Sequence, residues 1–178
     1  MENIQAYKSA NVLYLLKLFF WLEFRIAVIK ITNLMKNSNQ FKFFIVDDDI
    51  FCANLHELYL LNLNYTDITY YSNGTDCLNN LDQKPDIIFL DHNMEDITGF
   101  EVLKKIKRQN PNIYVVMISG QETIKTAVDA LKYGAFDYII KDNMVSEKMN
   151  LIITKIIKVK EELEKSNPTI IRRILSIF

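Results

Sequence analysis

Residues Asp86–Gln109 read DIIFLDHNMEDITGFEVLKKIKRQ, and this stretch decides the fold. Its first part, DIIFLD, is an unbroken apolar run that ends on a carboxylate at Asp91. A strand with one wet face alternates polar and apolar residues, whereas an unbroken run is what a strand covered on both faces requires. The second part, GFEVLKKIKRQ, spaces its apolar residues as one face of a helix. Strand, loop and helix in that order make one βα unit.

The same rhythm extends to both sides. FKFFIV precedes FCANLHELYLL, whose apolar residues cover one helical face and more, and DITYY precedes GTDCLNNL. NIYVVMIS, entered through a turn at Pro111, leads to ETIKTAVDALKYG, where Ile124, Ala127, Val128 and Leu131 form an i, i+3, i+4, i+7 stripe closed by Gly134 as a C′ residue. FDYII leads to SEKMNLIITKIIKVKEELEK, with Met149, Ile152, Ile153, Ile156, Ile157 and Leu163 expected to face inward. Five such units predict an α/β fold, a doubly wound parallel sheet with helices on both faces. Right-handed crossovers leave few topologies, and the flavodoxin-like (βα)5 order 2-1-3-4-5 is the one expected.

Composition bounds the rest. The 178 residues are 49% hydrophobic with a formal net charge of −1, enough for a packed core and without the basic stripe of a nucleic-acid-binding surface. Cys52 and Cys77 form no CxxC or Cys/His cluster, so neither a zinc site nor a disulfide framework is indicated, in keeping with a reducing, cytoplasmic setting. The domains expected are an N-terminal extension over 1–40, a central domain over 41–165 and a short amphipathic tail over 166–178. The extension is hydrophobic but carries Lys17, Glu23, Arg25 and Lys30 on no common face. A spanning helix wants about 20 mostly apolar residues, and a mid-span Lys or Arg costs roughly 2.5–3.5 kcal/mol. Against a single span or a membrane-surface or partner-docking helix stands a native start at Met35, ahead of MKNSNQFKFFIV, and that start is the reading adopted. An intact Met1 on the native protein would overturn it. In the tail, Ile170, Ile171, Ile174, Leu175 and Phe178 share an apolar face opposite Arg172 and Arg173. Folding back onto its own domain is the reading adopted there, ahead of a partner or a membrane.

In such sheets ligands bind outside the carboxyl ends of the strands. Those ends carry Asp47-Asp48-Asp49, then Asp91 followed by His92 and Asn93, then Ser119-Gly120, then Lys141-Asp142. Carboxylates crowded on one rim raise one another's pKa, so a divalent cation is their natural partner, and oxygen-only ligands favour Mg²⁺. A carboxylate beside that cation is a nucleophile toward phosphorus. An ammonium and a hydroxyl suit the oxygens of a transferring phosphoryl group.

At this point FIVDDD, DIIFLDHNMEDITGFEVLKKIK, VVMISG and DALKYGAFDYIIKD together resemble the signature blocks of the CheY-like response regulator receiver domain of two-component signalling. By that resemblance Asp91 is the phosphoacceptor, Asp48 a direct Mg²⁺ ligand and Asp47 a ligand through water. Asn93 lends its backbone carbonyl, Ser119 is the switch hydroxyl, Lys141 the cation on the phosphoryl group and Tyr138 the aromatic switch. Asp49 reads as a helix-start acid. The resemblance implies a stand-alone regulator rather than a turnover enzyme, at most phosphorylating and dephosphorylating itself with Mg²⁺. Its phosphodonor would be a sensor histidine kinase or a histidine phosphotransfer protein, and its target would dock on helix 4, strand 5 and helix 5. A homodimer stays open. Departures are Glu95 where the family has proline, Thr98 where it has Asp, and Asp142 where a cis proline follows the lysine. His92 reads as an exposed loop residue and His56 as a surface or edge residue. Two alternatives stand beside this reading: a haloacid-dehalogenase-type phosphatase with Asp47 as nucleophile, which needs a later acidic pair, and a receiver-like scaffold that works without phosphorylation.

Overall fold

Each expected strand forms, and each is short: β1 Phe43–Val46, β2 Ile68–Tyr71, β3 Ile87–Asp91, β4 Tyr114–Ser119 and β5 Asp137–Ile140. All pairings are parallel and the order is β2-β1-β3-β4-β5, as anticipated. The helices are α1 Ile50–Asn62, α2 Gly74–Asn79, α3 Gly99–Gln109, α4 Ile124–Lys132 and α5 Val145–Ser166. The structure, a computed structural model, describes residues 20–25, 41–120 and 123–166. The chain divides into two units, residues 1–40 and 41–178. In the first, residues 20–25 are helical and the Arg25 guanidinium lies over the Trp21 ring, 4.8 Å from its centroid. The remainder of the extension, including Met35, and the tail from residue 167 onward lie outside the described residues. No helix among the described residues is long and apolar enough to cross a membrane.

The unbroken apolar runs follow from two separate cores. Phe43 and Ile45 of β1 and Ile87 and Phe89 of β3 pack with Met149, Ile152, Ile153 and Ile156 of α5 on one face. Phe44, Val46, Ile88 and Leu90, the alternate residues, pack with Val102, Leu103 and Ile106 of α3 on the other. A parallel register pairs Val46 with Leu90, Asp91 with Ile118 and Ser119 with Ile140, so the strands end together along one rim.

Helix starts are set by local chemistry. Thr98 opens α3 with a capping box: its hydroxyl accepts from the Glu101 N–H while the Glu101 carboxylate accepts from the Thr98 N–H. Gly134, at φ +97°, follows the end of α4 in the left-handed conformation that glycine adopts without a Cβ penalty. Gly99 has a different reason to be glycine. A Cβ there would run into the Asp91 carbonyl and come within 2.9 Å of the His92 Cα, so only glycine lets α3 start against the backbone of the strand-3 end.

Three expectations about burial need correction, and one apolar stripe lies exposed. The α4 stripe does not face the sheet: Ile124 is 83% exposed, Val128 and Leu131 are exposed, and Ala130 is the residue that α4 buries. Leu163, expected inward, is exposed because α5 has by then run past the sheet. His56 is buried, on the same face of α1 as Ala53 and Leu60. His92 is buried as well. On the other side of α1, Ile50, Phe51, Leu55, Leu58 and Leu61 are all exposed and fall within one arc of the helix.

Candidate functional site

The rim gathers Asp47, Asp48, Asp91, Ser119 and Lys141. Asp47 and Asp91 are buried and Asp48 is exposed, and carboxylate oxygens of the three lie within 4.8 Å of one another. The Lys141 Nζ bridges the buried pair, 2.6 Å from Asp91 Oδ1 and 2.9 Å from Asp47 Oδ2. The second Asp91 oxygen accepts the Asn93 N–H at 2.6 Å, and Asp47 Oδ1 accepts the Asp49 N–H at 3.0 Å. The Tyr70 hydroxyl donates to the Asp47 carbonyl at 3.0 Å and steadies the end of β1. Ser119 is fully buried, and its carbonyl accepts the Lys141 N–H at 2.7 Å, which ties the ends of β4 and β5 together. Tyr138, on β5, is half-buried and packs against the α3-side core.

Asp49 does not join the cluster. It is the N-cap of α1, with Oδ1 accepting from the Phe51 and Cys52 N–H groups and Oδ2 from the Cys52 thiol. These bonds hold its pKa below the usual carboxylate range. The run of three aspartates is therefore two rim carboxylates followed by a helix cap.

Burial pushes the Asp91 carboxyl above its ordinary value, outweighing the attraction of Lys141 and reinforced by the Asp47 charge. Lys141 moves up: burial works against its charge, but hydrogen bonds and attraction from Asp91 and Asp47 prevail. One ammonium thus serves two buried carboxylates, with a third beside them. An oxygen-only donor set with this surplus of negative charge fits a hard divalent cation.

The sign of the resulting pH dependence is definite. A carboxyl whose folded pKa is raised contributes stability below its unfolded pKa and loses it as pH rises through the folded value. With a chelator present, the Asp91→Asn variant should therefore gain thermal stability relative to the native chain as pH climbs from the ordinary carboxylate range through the raised Asp91 value. Paired melting curves across that window test this, and a difference that stays flat with pH overturns it.

Two features were not legible as site features. Asp96 ties the β3–α3 loop to the start of α2: its carboxylate accepts from the Gly74 N–H, the Thr75 N–H and the Thr75 hydroxyl, and its pKa falls to about 2 because these hydrogen bonds outweigh the upward push of burial. His92 turns its ring into the protein and meets Phe100 edge to face at 4.8 Å. Burial lowers its pKa, against the pull of the Asp91 charge. The loop after Lys141 also resolves. The Lys141–Asp142 peptide is trans, and Asp142 takes up the start of α5 by accepting the Met144 N–H and pairing with Lys148. Among the described residues of the strand-4 and strand-5 ends, Asp142 is the sole acid, and its carboxylate is spent on that helix start.

Comparison with known proteins agrees with this geometry. The family profile described as the response regulator receiver domain matches residues 43–154. The regulatory protein LuxO of Vibrio cholerae is 32% identical over 127 residues, covering 69% of this chain and 28% of LuxO. The transcriptional regulatory protein ZraR of Klebsiella oxytoca is 35% identical over 106 residues, covering 59% of this chain and 24% of ZraR. This chain therefore spans about a quarter of the length of these curated relatives. Among solved structures, NtrX from Brucella abortus superposes with a TM-score of 0.64 at 27% identity, covering 71% of this chain and 29% of that one. A chain of the CheX–CheY–BeF3–Mg complex from Borrelia burgdorferi gives 0.62 at 24%, covering 66% of this chain and 89% of that one, a likeness of fold.

Proposed function

The chain belongs to the response regulator receiver domain family, and on that premise we propose that it is a phosphorylation-controlled regulator with Asp91 as its phosphoacceptor. The observation that carries this reading is Lys141 bridging Asp91 and Asp47 at the strand ends, with Asp48 beside them. Asp91 is buried enough to be poorly hydrated, yet it sits on a rim where a donor can reach it. An ionised Asp91 oxygen attacks the phosphorus, the bond to the donor nitrogen or oxygen breaks, and its electron pair leaves with the donor. The product is an acyl phosphate on Asp91. Lys141 holds positive charge where the transferring oxygens develop theirs, and the Ser119 hydroxyl donates to one of them. Asp47, Asp48, Asp91 and the Asn93 carbonyl would hold Mg²⁺, which when bound neutralises phosphoryl charge and orients it. Ser119 and Tyr138 carry the switch: a hydroxyl drawn toward the phosphoryl group makes room for an aromatic ring to turn inward. The direct test is labelling of the full chain by a small-molecule phosphodonor with Mg²⁺, followed by peptide mass mapping. Phosphate on Asp91 is expected, and phosphate elsewhere would overturn the assignment.

In this reading residues 41–165 are the receiver, 1–40 an extension and 166–178 a tail. The protein works in the cytoplasm as a signalling partner, not as an enzyme of turnover. Its output face is α4–β5–α5, supported by the exposure of Ile124, Val128, Leu131 and Leu151.

The phosphodonor needs a face of its own, and α1 supplies it. That helix starts from the Asp49 cap at the rim and presents Phe51, Leu55 and Leu58 to solvent. A histidine kinase or histidine phosphotransfer protein covering this face would bring its phosphoryl group to Asp91. Replacing both Phe51 and Leu58 by Asp should slow transfer from such a protein by about tenfold or more, the equivalent of losing one buried hot-spot contact. Labelling by the small-molecule donor should stay unchanged. Equal loss with both donors would locate the damage in the fold rather than in docking.

A further inference from the structure

The loop between β3 and α3, residues 92–98, carries one group of the proposed cation site, the Asn93 carbonyl. Its two ends are fixed by its own strand and helix. The Asn93 N–H donates to Asp91 Oδ2, and the Gly99 N–H closes the loop by donating to the His92 carbonyl at 2.9 Å. Met94 is buried in the α3-side core. Glu95 and Asp96, in the middle of the loop, are exposed, so apolar packing does not hold them. Asp96 does so by reaching across to α2. Its Oδ1 accepts the Gly74 N–H at 3.2 Å, and its Oδ2 accepts the Thr75 N–H at 2.9 Å and the Thr75 hydroxyl at 2.8 Å.

The tie serves both partners. The first N–H groups of a helix have no partner within it, and α2 has only six residues over which to offset that cost. Asn73 satisfies the Asp76 N–H from the helix's own side, whereas the Gly74 and Thr75 N–H groups are satisfied by Asp96 from a different loop. The approach is close: a Cβ on Gly74 would run into Val102 and come within 2.9 Å of Ile97 Cγ1. We propose that Asp96 is a positioning residue for the cation site: by fixing the β3–α3 loop to the start of α2, it keeps the Asn93 carbonyl in place beside Asp47, Asp48 and Asp91. Asp96 is not among the carboxylates that converge on the rim, so it acts through the loop. A backbone ligand already in place binds better, because the cost of ordering its loop falls in folding and not in binding. This role rests on the cation site proposed above.

Calorimetric titration of the full chain with Mg²⁺ tests it. Asp96→Ala should raise the Kd about tenfold, the low end of what losing an outer partner of a metal ligand costs. The loss should persist in about 1 M KCl, where the Debye length is only about 3 Å and a remote carboxylate has little reach through solvent. Asp96→Asn, which keeps one acceptor oxygen, should recover part of the affinity. Asn73→Ala removes the other cap of α2 and should lower the melting temperature while leaving the Kd near the native value. In chelator, amide exchange over residues 93–98 should rise several-fold in Asp96→Ala and not in Asn73→Ala. A native Kd in Asp96→Ala, a loss that vanishes in high salt, or an equal loss in Asn73→Ala would each overturn the positioning role and leave the cation site standing. A native chain that binds no Mg²⁺ would instead take down the cation site, and this role with it.

Discussion

Replacing Asp91 with asparagine should abolish phosphorylation completely, by protein and small-molecule donors alike, while leaving the fold intact. The carboxamide is nearly isosteric but has no anionic oxygen to attack phosphorus, so the loss is one of chemistry and not of binding. The change removes a buried negative charge whose pKa is already raised by burial, which is why the variant should melt no lower than the native chain without Mg²⁺. Lys141 keeps its second carboxylate at Asp47 and stays in place. Intact mass after exposure to phosphodonor, read beside a melting curve, separates the two effects. Label persisting in Asp91→Asn and moving to Asp47 or Asp48 would mean that the rim has more than one competent nucleophile, and the assignment would fall. On the proposed roles, the companion change Asp47→Asn should slow labelling without abolishing it, because Asp91 remains while one of the rim carboxylates that would hold the cation is lost.

The site could be read from the sequence because of a property of parallel sheets. When every crossover is right-handed and every strand runs the same way, the last residue of each apolar run lies on the same rim. Asp47, Asp91, Ser119 and Lys141 were four run ends in a row, and the register that pairs Asp91 with Ile118 and Ser119 with Ile140 brings them level. The burial of strands on both faces was equally legible, since Phe43 and Phe44 point to different cores and both must be apolar.

What stayed hidden depends on which neighbour a surface meets. The α4 stripe at Ile124, Val128 and Leu131 has a core-facing pattern yet is exposed, because helical spacing records that a face is apolar and not which neighbour covers it. His92 lies in a loop, where periodicity carries no information. Its burial depends on the approach of α3 that Gly99 permits. His56 was within reach: Ala53, His56 and Leu60 recur at i, i+3 and i+7, and the imidazole shares their buried face. The missing proline after Lys141 raised the question of a cis bond, and the structure shows a trans peptide with Asp142 serving α5 instead.

Lys141→Met should then be the most destabilising single change at the site. Methionine keeps the length and the apolar stem of the lysine but removes the one ammonium that bridges Asp91 and Asp47. Both carboxylates are buried, and breaking such a pair by removing one partner typically costs about 3–5 kcal/mol, because the charge left behind has neither water nor a counter-ion. The protein has one escape, which is to protonate Asp91, whose pKa is already raised. The loss should therefore be largest near neutral pH and shrink as the solution becomes more acidic. Mg²⁺ should recover much of the lost stability and bind more tightly than in the native chain, since no lysine competes for the same oxygens. Adding Asp91→Asn to Lys141→Met should restore part of the stability without metal, with Asp47 alone left unpaired, so the coupling energy should be a sizeable fraction of the single loss, whereas unrelated sites would simply add. Denaturant melts of the four chains, with chelator and with Mg²⁺, measure every term. If Lys141→Met melts like the native chain in chelator, the buried pair does not depend on its ammonium, and the account of Asp91 as a carboxylate held ready by Lys141 fails with it.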